Sequence, residues 1–150
     1  MAQVNTRQIV LLASSTQTTS GTGNDIVLPQ GFTSAIVSLN VNTVSGTSPT
    51  MNVYIQNKVA QALSTDLTGA LPTGTAIYDD LISFTQMTTS SSTQICRIVG
   101  GGNAVGAQHN KSLGAASVAS GPIGGTWNVA WTHGGTSPSF NFNVVAELIP

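Results

Sequence analysis

The chain has 150 residues and a formal net charge of −1, which is the size of one domain. Such a charge cannot neutralise phosphates, so the composition argues against nucleic acid as a partner. No run of about 18 apolar residues is present, which argues against a membrane-spanning helix, and the first residues lack the basic region of a signal peptide.

Uncharged polar residues replace the usual charges. Only 6% of the residues are charged, where about 25% is common, while Ser, Thr, Asn and Gln number 17, 20, 11 and 9. A free monomer normally carries many charges of both signs on its surface. The composition therefore predicts permanent membership of a large assembly.

The chain begins with a stretch that we expect to be a polar N-terminal arm, residues 1–23. Within it, residues 8–13 form a weak candidate strand that contains the apolar run IVLL. A second short strand is predicted at 25–28, after a tract rich in Ser, Thr and Gly.

Two hairpins of similar sequence are predicted next and at the end of the chain. In the first, alternating strands 37–41 and 51–56 flank the turn-forming segment SGTSP. In the second, strands 127–131 and 139–148 flank HGGTSP. Trp127 and Trp131 lie four residues apart on one strand face, a spacing that predicts packing in the core. Strict alternation of apolar and polar residues around Gly, Ser and Pro is typical of half-buried strands joined by turns.

Two further strands are expected between the hairpins, at 76–85 and 93–99. About eight short strands in one domain, residues 1–150, predict an all-β fold, an antiparallel β-sandwich resembling a jelly roll. Long loops are expected at 57–75, with a helical turn around 59–63, and at 100–125, which carries His109 and Lys111. Loops of this length in a compact domain are often functional.

Candidate catalytic and metal-binding residues are few. No G-x-S-x-G nucleophile elbow occurs, and His109 and His133 are each expected in an exposed loop. Asp79 and Asp80 are adjacent on a strand and so point to opposite faces. Cys96 has no partner for a disulfide and is predicted to be a small buried residue. We therefore expect no enzyme activity, no cofactor and no metal.

The two hairpin segments carry a family resemblance. The run VSLNVNTVSGTSPTMNVYIQNK at 37–58, with TWNVAW at 126–131 and SFNFNVVAELI at 139–149, resembles small β-rich virion proteins of tailed bacteriophages. The likeness covers about a third of the chain and lies in structural hairpins. It implies a structural component of the phage particle, most like a head decoration (cement) protein.

The resemblance implies partners and a location. Decoration proteins commonly sit as homotrimers on the outside of the capsid and clamp the major capsid protein, so we expect a capsid-surface protein made in the host cytoplasm. The residues proposed to contact partners are a strand that could pair with an exposed sheet edge and two loop residues, namely Gln8, Ile9, Val10, Leu11, Leu12, His109 and Lys111.

Three alternatives remain open from the sequence. The chain fits a tail or head–tail junction protein, since such places also select low-charge β domains. A carbohydrate-binding or adhesion module would need an exposed aromatic platform, for which Tyr54 and Tyr78 are the candidates. A serine hydrolase would require His109 or His133 as its base.

Overall fold

The computed structural model describes residues 5–61, 76–89, 92–100, 114–119 and 123–150. These residues form strands and their connections, with no helix among them. The strands are β1 (Arg7–Gln17), β2 (Gly21–Thr22), β3 (Ile26–Leu28), β4 (Ser34–Gln61), β5 (Ala76–Ser83), β6 (Ser92–Val99), β7 (Ser117–Val118) and β8 (Gly125–Ile149).

All eight strands are hydrogen-bonded into one antiparallel sheet. Its order is β1-β8-β4-β5-β7, with β2 and β3 paired to β8 and β6 paired to β4. The predicted all-β antiparallel class is confirmed. The finer prediction of a sandwich or jelly roll is not confirmed.

The prediction of two hairpins is wrong. Instead, β4 and β8 run through the segments expected to be turns and pair with each other along their lengths, from Ser34 opposite Ile149 to Asn57 opposite Trp127. The two repeated segments meet, with Thr47 opposite Thr136. Apolar alternation is the same in a hairpin and in a long strand, so the pattern alone did not distinguish them.

The repeated Gly-Thr-Ser-Pro segments form a corner in both long strands. Gly46 and Gly135 have φ of 118° and 92°, and Ser48 and Ser137 both have φ of 48°. Three register shifts interrupt the pairing of β4 with β8 between residues 41 and 50. Bulges and residues with positive φ bend a strand. Here the same four-residue sequence, Gly-Thr-Ser-Pro, bends both β4 and β8.

Beyond the corner, β8 folds back over itself. The rings of Trp131 and Phe142 make an edge-to-face contact with centroids 5.7 Å apart, although eleven residues of straight strand would span about 36 Å. The inner surfaces of the two halves therefore face each other. The first half-sheet contains β1 and β6 together with the start of β4 and the end of β8. The second contains β2, β3, β5 and β7 together with the end of β4 and the start of β8.

The core lies between these halves. Trp127 is fully buried and Trp131 is 6% exposed, so the prediction that both pack in the core is confirmed. Cys96 is half-buried and packs against the core. The long strands supply most of the other buried apolar residues, including Val37, Leu39, Val41, Met51, Val53, Ile55, Val129, Phe140, Phe142, Val144, Ala146 and Leu148.

Parts of the two loops predicted at 57–75 and 100–125 are strands. Residues 59–61 belong to β4, so the helical turn expected from residue 59 is wrong there. β7 lies inside the predicted 100–125 loop, and β8 begins at Gly125. The rest of both loops, including His109 and Lys111, lies outside the described residues.

The corner yields a stability prediction for G135A. A Cβ atom on Gly135 would collide with the backbone oxygens of Thr47 and Ser48, whereas one on Gly31, with a similar φ of 94°, would meet nothing within 4 Å. Both variants lose about 1–2 kcal/mol because alanine disfavours positive φ. G135A should lose about 2 kcal/mol more by overpacking, measured as the free energy of unfolding in urea. Equal losses in G135A and G31A would contradict a tightly packed corner.

Candidate interaction face

The predicted N-terminal arm is part of the chain's own sheet from residue 7 onward. Gln8, Ile9, Val10, Leu11 and Leu12 all lie in β1, which pairs with the end of β8. Leu11 is only 3% exposed, while Ile9 and Leu12 pack against the core. Ile9, Leu11 and Leu12 leave water by packing within their own chain, so the segment does not extend as an arm.

The free edge of β1 is poorly suited to receiving another strand. β1 is the terminal strand of the sheet order, but its register shifts twice, between Val10 and Leu12 and between Leu12 and Ser15. Bulges of this kind interrupt the row of backbone donors and acceptors and protect an edge against pairing. The broad surface of the first half-sheet is therefore the better contact surface.

Strand register defines which side chains share that surface. Residues directly opposite each other on antiparallel strands point to the same side. One row across the sheet contains Val10, Val145, Ser38 and Ile95, and the next contains Gln8, Glu147, Ile36 and Arg97. We call the apolar members of these rows, with Val99 and Ile149 from the neighbouring row, the outer apolar face: Val10, Ile36, Ile95, Val99, Val145 and Ile149.

The outer apolar face leaves large side chains in water. Ile95 is 70% exposed, Val99 55% and Val10 53%, and the other three are half-buried. Burying a Val or Ile side chain is worth about 1.5–3 kcal/mol. Apolar side chains gathered on one surface, rather than scattered singly, make this face the candidate interaction surface.

Two opposite charges lie within this surface. Arg97 and Glu147 are both exposed and both stand opposite Ile36, one on each side of it. They are separated by two strand spacings, or roughly 10 Å. Among the described residues, no ion pair joins them, since the one recorded pair is Lys58 with Asp25.

A row of amides borders the outer apolar face. The Asn42 side-chain amide donates a hydrogen bond to Asn141 Oδ1 at 2.9 Å, and Ser14 Oγ donates to the same oxygen at 3.0 Å. Nearby, Thr93 Oγ1 donates to Asn40 Oδ1 at 3.0 Å. These cross-strand bonds fix neutral polar groups on β1, β8, β4 and β6, so this border is polar without being charged.

A separate polar cluster lies on the second half-sheet. Lys58 Nζ is 3.0 Å from Asp25 Oδ2, and the Tyr78 hydroxyl donates to Asp25 Oδ1 at 2.9 Å. The hydrogen bond from Lys58 lowers the pKa of Asp25, while burial is the main effect that raises the pKa of Tyr78. Tyr78 is thus committed to a structural contact, and Tyr54 is half-buried.

His133 is not the exposed loop residue that its sequence context predicted. It lies in β8, its ring centroid is 5.1 Å from that of Phe140, and both ring nitrogens are buried. Its backbone N–H donates to Ser20 Oγ at 2.8 Å. Burial lowers the pKa of His133, against a weaker opposite effect of the Thr18 backbone.

The remaining candidate residues form no metal centre in the described part of the chain. Asp80 is 8% exposed and accepts a hydrogen bond from Gln56 Nε2 at 2.8 Å. No group of three or more His, Cys, Asp or Glu side chains able to hold a metal ion occurs among the described residues. Burial raises the pKa of the Cys96 thiol, which favours its protonated form.

Comparisons with protein families, curated protein sequences and solved structures found no match to this chain. Within the residues that the structure describes, no helix is long and apolar enough to cross a membrane.

Sequence reasoning missed the outer apolar face, although a signal was present. Consecutive apolar residues occur in β1 at Ile9–Leu12, in β6 at Ile98 and Val99, and in β8 at Val144 and Val145. A half-buried strand should alternate, so consecutive apolar residues place some of them on the outer side. Only the register shows that these outer residues lie in shared rows.

The environment of His133 predicts a pH-dependent stability. Because its pKa is lowered in the folded state, the unfolded chain binds a proton first as the pH falls below the ordinary value of 6.5. The free energy of unfolding should be highest above that value and decline as the pH falls toward the pKa that His133 has in the folded chain. H133F should remove this decline, measured as urea midpoints from about pH 7 to about pH 5.

H109Q provides the control, since the chain has two histidines. The decline should persist in H109Q. A decline that persists in H133F and disappears in H109Q would show that the pH-dependent contact does not involve His133.

Proposed function

We propose that this chain is a non-enzymatic structural protein that binds the outer surface of a bacteriophage capsid and stabilises the shell. The observation that carries the proposal is the outer apolar face, displayed by a chain with only four Lys/Arg and five Asp/Glu residues. Such a surface favours a protein that works within an assembly. The likeness of segments 37–58, 126–131 and 139–149 to phage virion proteins supports the choice of assembly.

The proposed mechanism is mechanical and collective. Packaged DNA presses outward on a thin shell, and many copies of a stiff domain bridging capsid subunits resist this pressure together. Any protein that binds only the intact lattice stabilises it by mass action. The proposed partners are the major capsid protein and further copies of this chain, arranged as homotrimers on the virion surface.

The composition predicts how shell binding responds to salt. Contacts made by apolar and amide groups are little affected by screening, whereas contacts between exposed charges weaken strongly between about 0.1 M and about 1 M salt. Purified shells lacking this chain should therefore bind it at both salt concentrations and rupture at a higher temperature when it is bound. Cosedimentation measures the binding, and calorimetry of loaded and bare shells measures the rupture temperature.

Localisation decides between the head and the rest of the particle. Cryo-electron microscopy of the particle that encodes this chain should show density for it at three-fold positions of the head. Density at the tail or neck would replace the decoration role with a tail or junction role. Absence from the particle, together with failure to bind shells, would overturn the proposal.

A further inference from the structure

The outer apolar face is self-complementary. We propose that a second copy of this chain packs on it face to face, related by a two-fold axis parallel to β4. This inference rests on the proposed function in taking the face as an assembly contact. It assigns that face to a second copy of this chain and leaves the contact with the capsid to other surfaces.

The charges select this arrangement. In the first half-sheet, β8 and β6 lie on opposite sides of β4. A two-fold rotation about an axis along β4 exchanges these two sides, so β8 of one copy lies over β6 of the other. Glu147 of each copy then faces Arg97 of its partner, because both residues occupy the row of Ile36. A two-fold axis running across the strands would instead place Glu147 against Glu147 and Arg97 against Arg97, which like-charge repulsion disfavours.

The apolar side chains match under the same rotation. Val145 and Ile95 share the row of Ser38 on opposite sides of β4, so each Ile95 meets the partner's Val145. Ile36 lies on the axis and meets its own copy. Two sheets packed with nearly aligned strands interdigitate their side chains at about 10 Å separation, and contacts of this type are isologous.

The geometry is also compatible with trimers on a shell. Neighbouring three-fold positions of an icosahedral lattice are related by local two-fold axes, so a two-fold contact can link copies from adjacent trimers. In free solution, the same contact should appear as a dimer of the isolated chain.

Charge reversal provides the direct test by sedimentation equilibrium of the full chain. R97E alone and E147R alone each replace two attractive pairs with two repulsive ones, so each should weaken the dimer at least about tenfold. An equal mixture of the two variants should recover association, because every reversed charge then meets an opposite one. The double variant R97E/E147R should recover it as well.

Replacing an exposed apolar residue by lysine, inside or outside the face, provides a matched pair of variants. I95K places a charge on the outer apolar face, whereas V27K places one on a valine of β3 that is 76% exposed and lies outside that face. Both positions are more than two-thirds exposed, so urea midpoints measured at concentrations too low for the dimer should stay near that of the original chain. I95K should abolish the dimer and V27K should leave it intact.

The outcomes separate this inference from the proposed function. A monomer at every concentration, a dimer or trimer unaffected by I95K and by both single reversals, or single variants that do not associate when mixed would each overturn the two-fold contact. A monomeric chain that still binds shells would leave the decoration role standing. A dimer with the expected charge dependence that never binds shells would support this contact and overturn the decoration role.

Discussion

The structure depends on the pairing of β4 with β8 through a shared corner. Each long strand belongs to both half-sheets, so the register between them places every other strand. The Gly-Thr-Ser-Pro repeat makes the arrangement possible, because its positive φ values at glycine and serine bend both strands at the same level. Without that bend, Trp131 and Phe142 would lie far apart, and neither half would have an inner surface to bury.

Folding the sheet over itself gives each strand two distinct environments. Inner positions of β4 and β8 meet across the core and are almost uniformly apolar. Outer positions are not packed in the core, and their side chains differ between the two halves. The first half-sheet uses them for Val10, Ile36, Ile95 and Val145, whereas the second bears Lys58 and Tyr78 bound to Asp25. The two outer surfaces therefore differ although the strands that carry them are continuous.

A surface with few charges must hold its polar groups in other ways. Here asparagine, threonine and serine side chains bond to one another across neighbouring strands, as Asn42 does with Asn141. Such bonds satisfy the amides without the long, flexible side chains of lysine and glutamate, and they change little with salt or pH. Shifted pKa values occur at other groups: burial lowers the pKa of His133, next to Phe140, and the hydrogen bond from Lys58 lowers that of Asp25.

The sequence alone determined the local features: the all-β antiparallel class, the strands predicted at 76–85 and 93–99 and found at Ala76–Ser83 and Ser92–Val99, and the burial of Trp127 and Trp131. Each follows from a period-2 pattern over a few residues, which depends on nearby neighbours. The tertiary structure decided which strands pair, and it turned two expected hairpins into one long pair and an expected arm into β1. It also gathered Ile95, Val145 and Val10 into one row. Pairing and register join residues more than 100 positions apart, and alternation along a single strand carries no information about its partner.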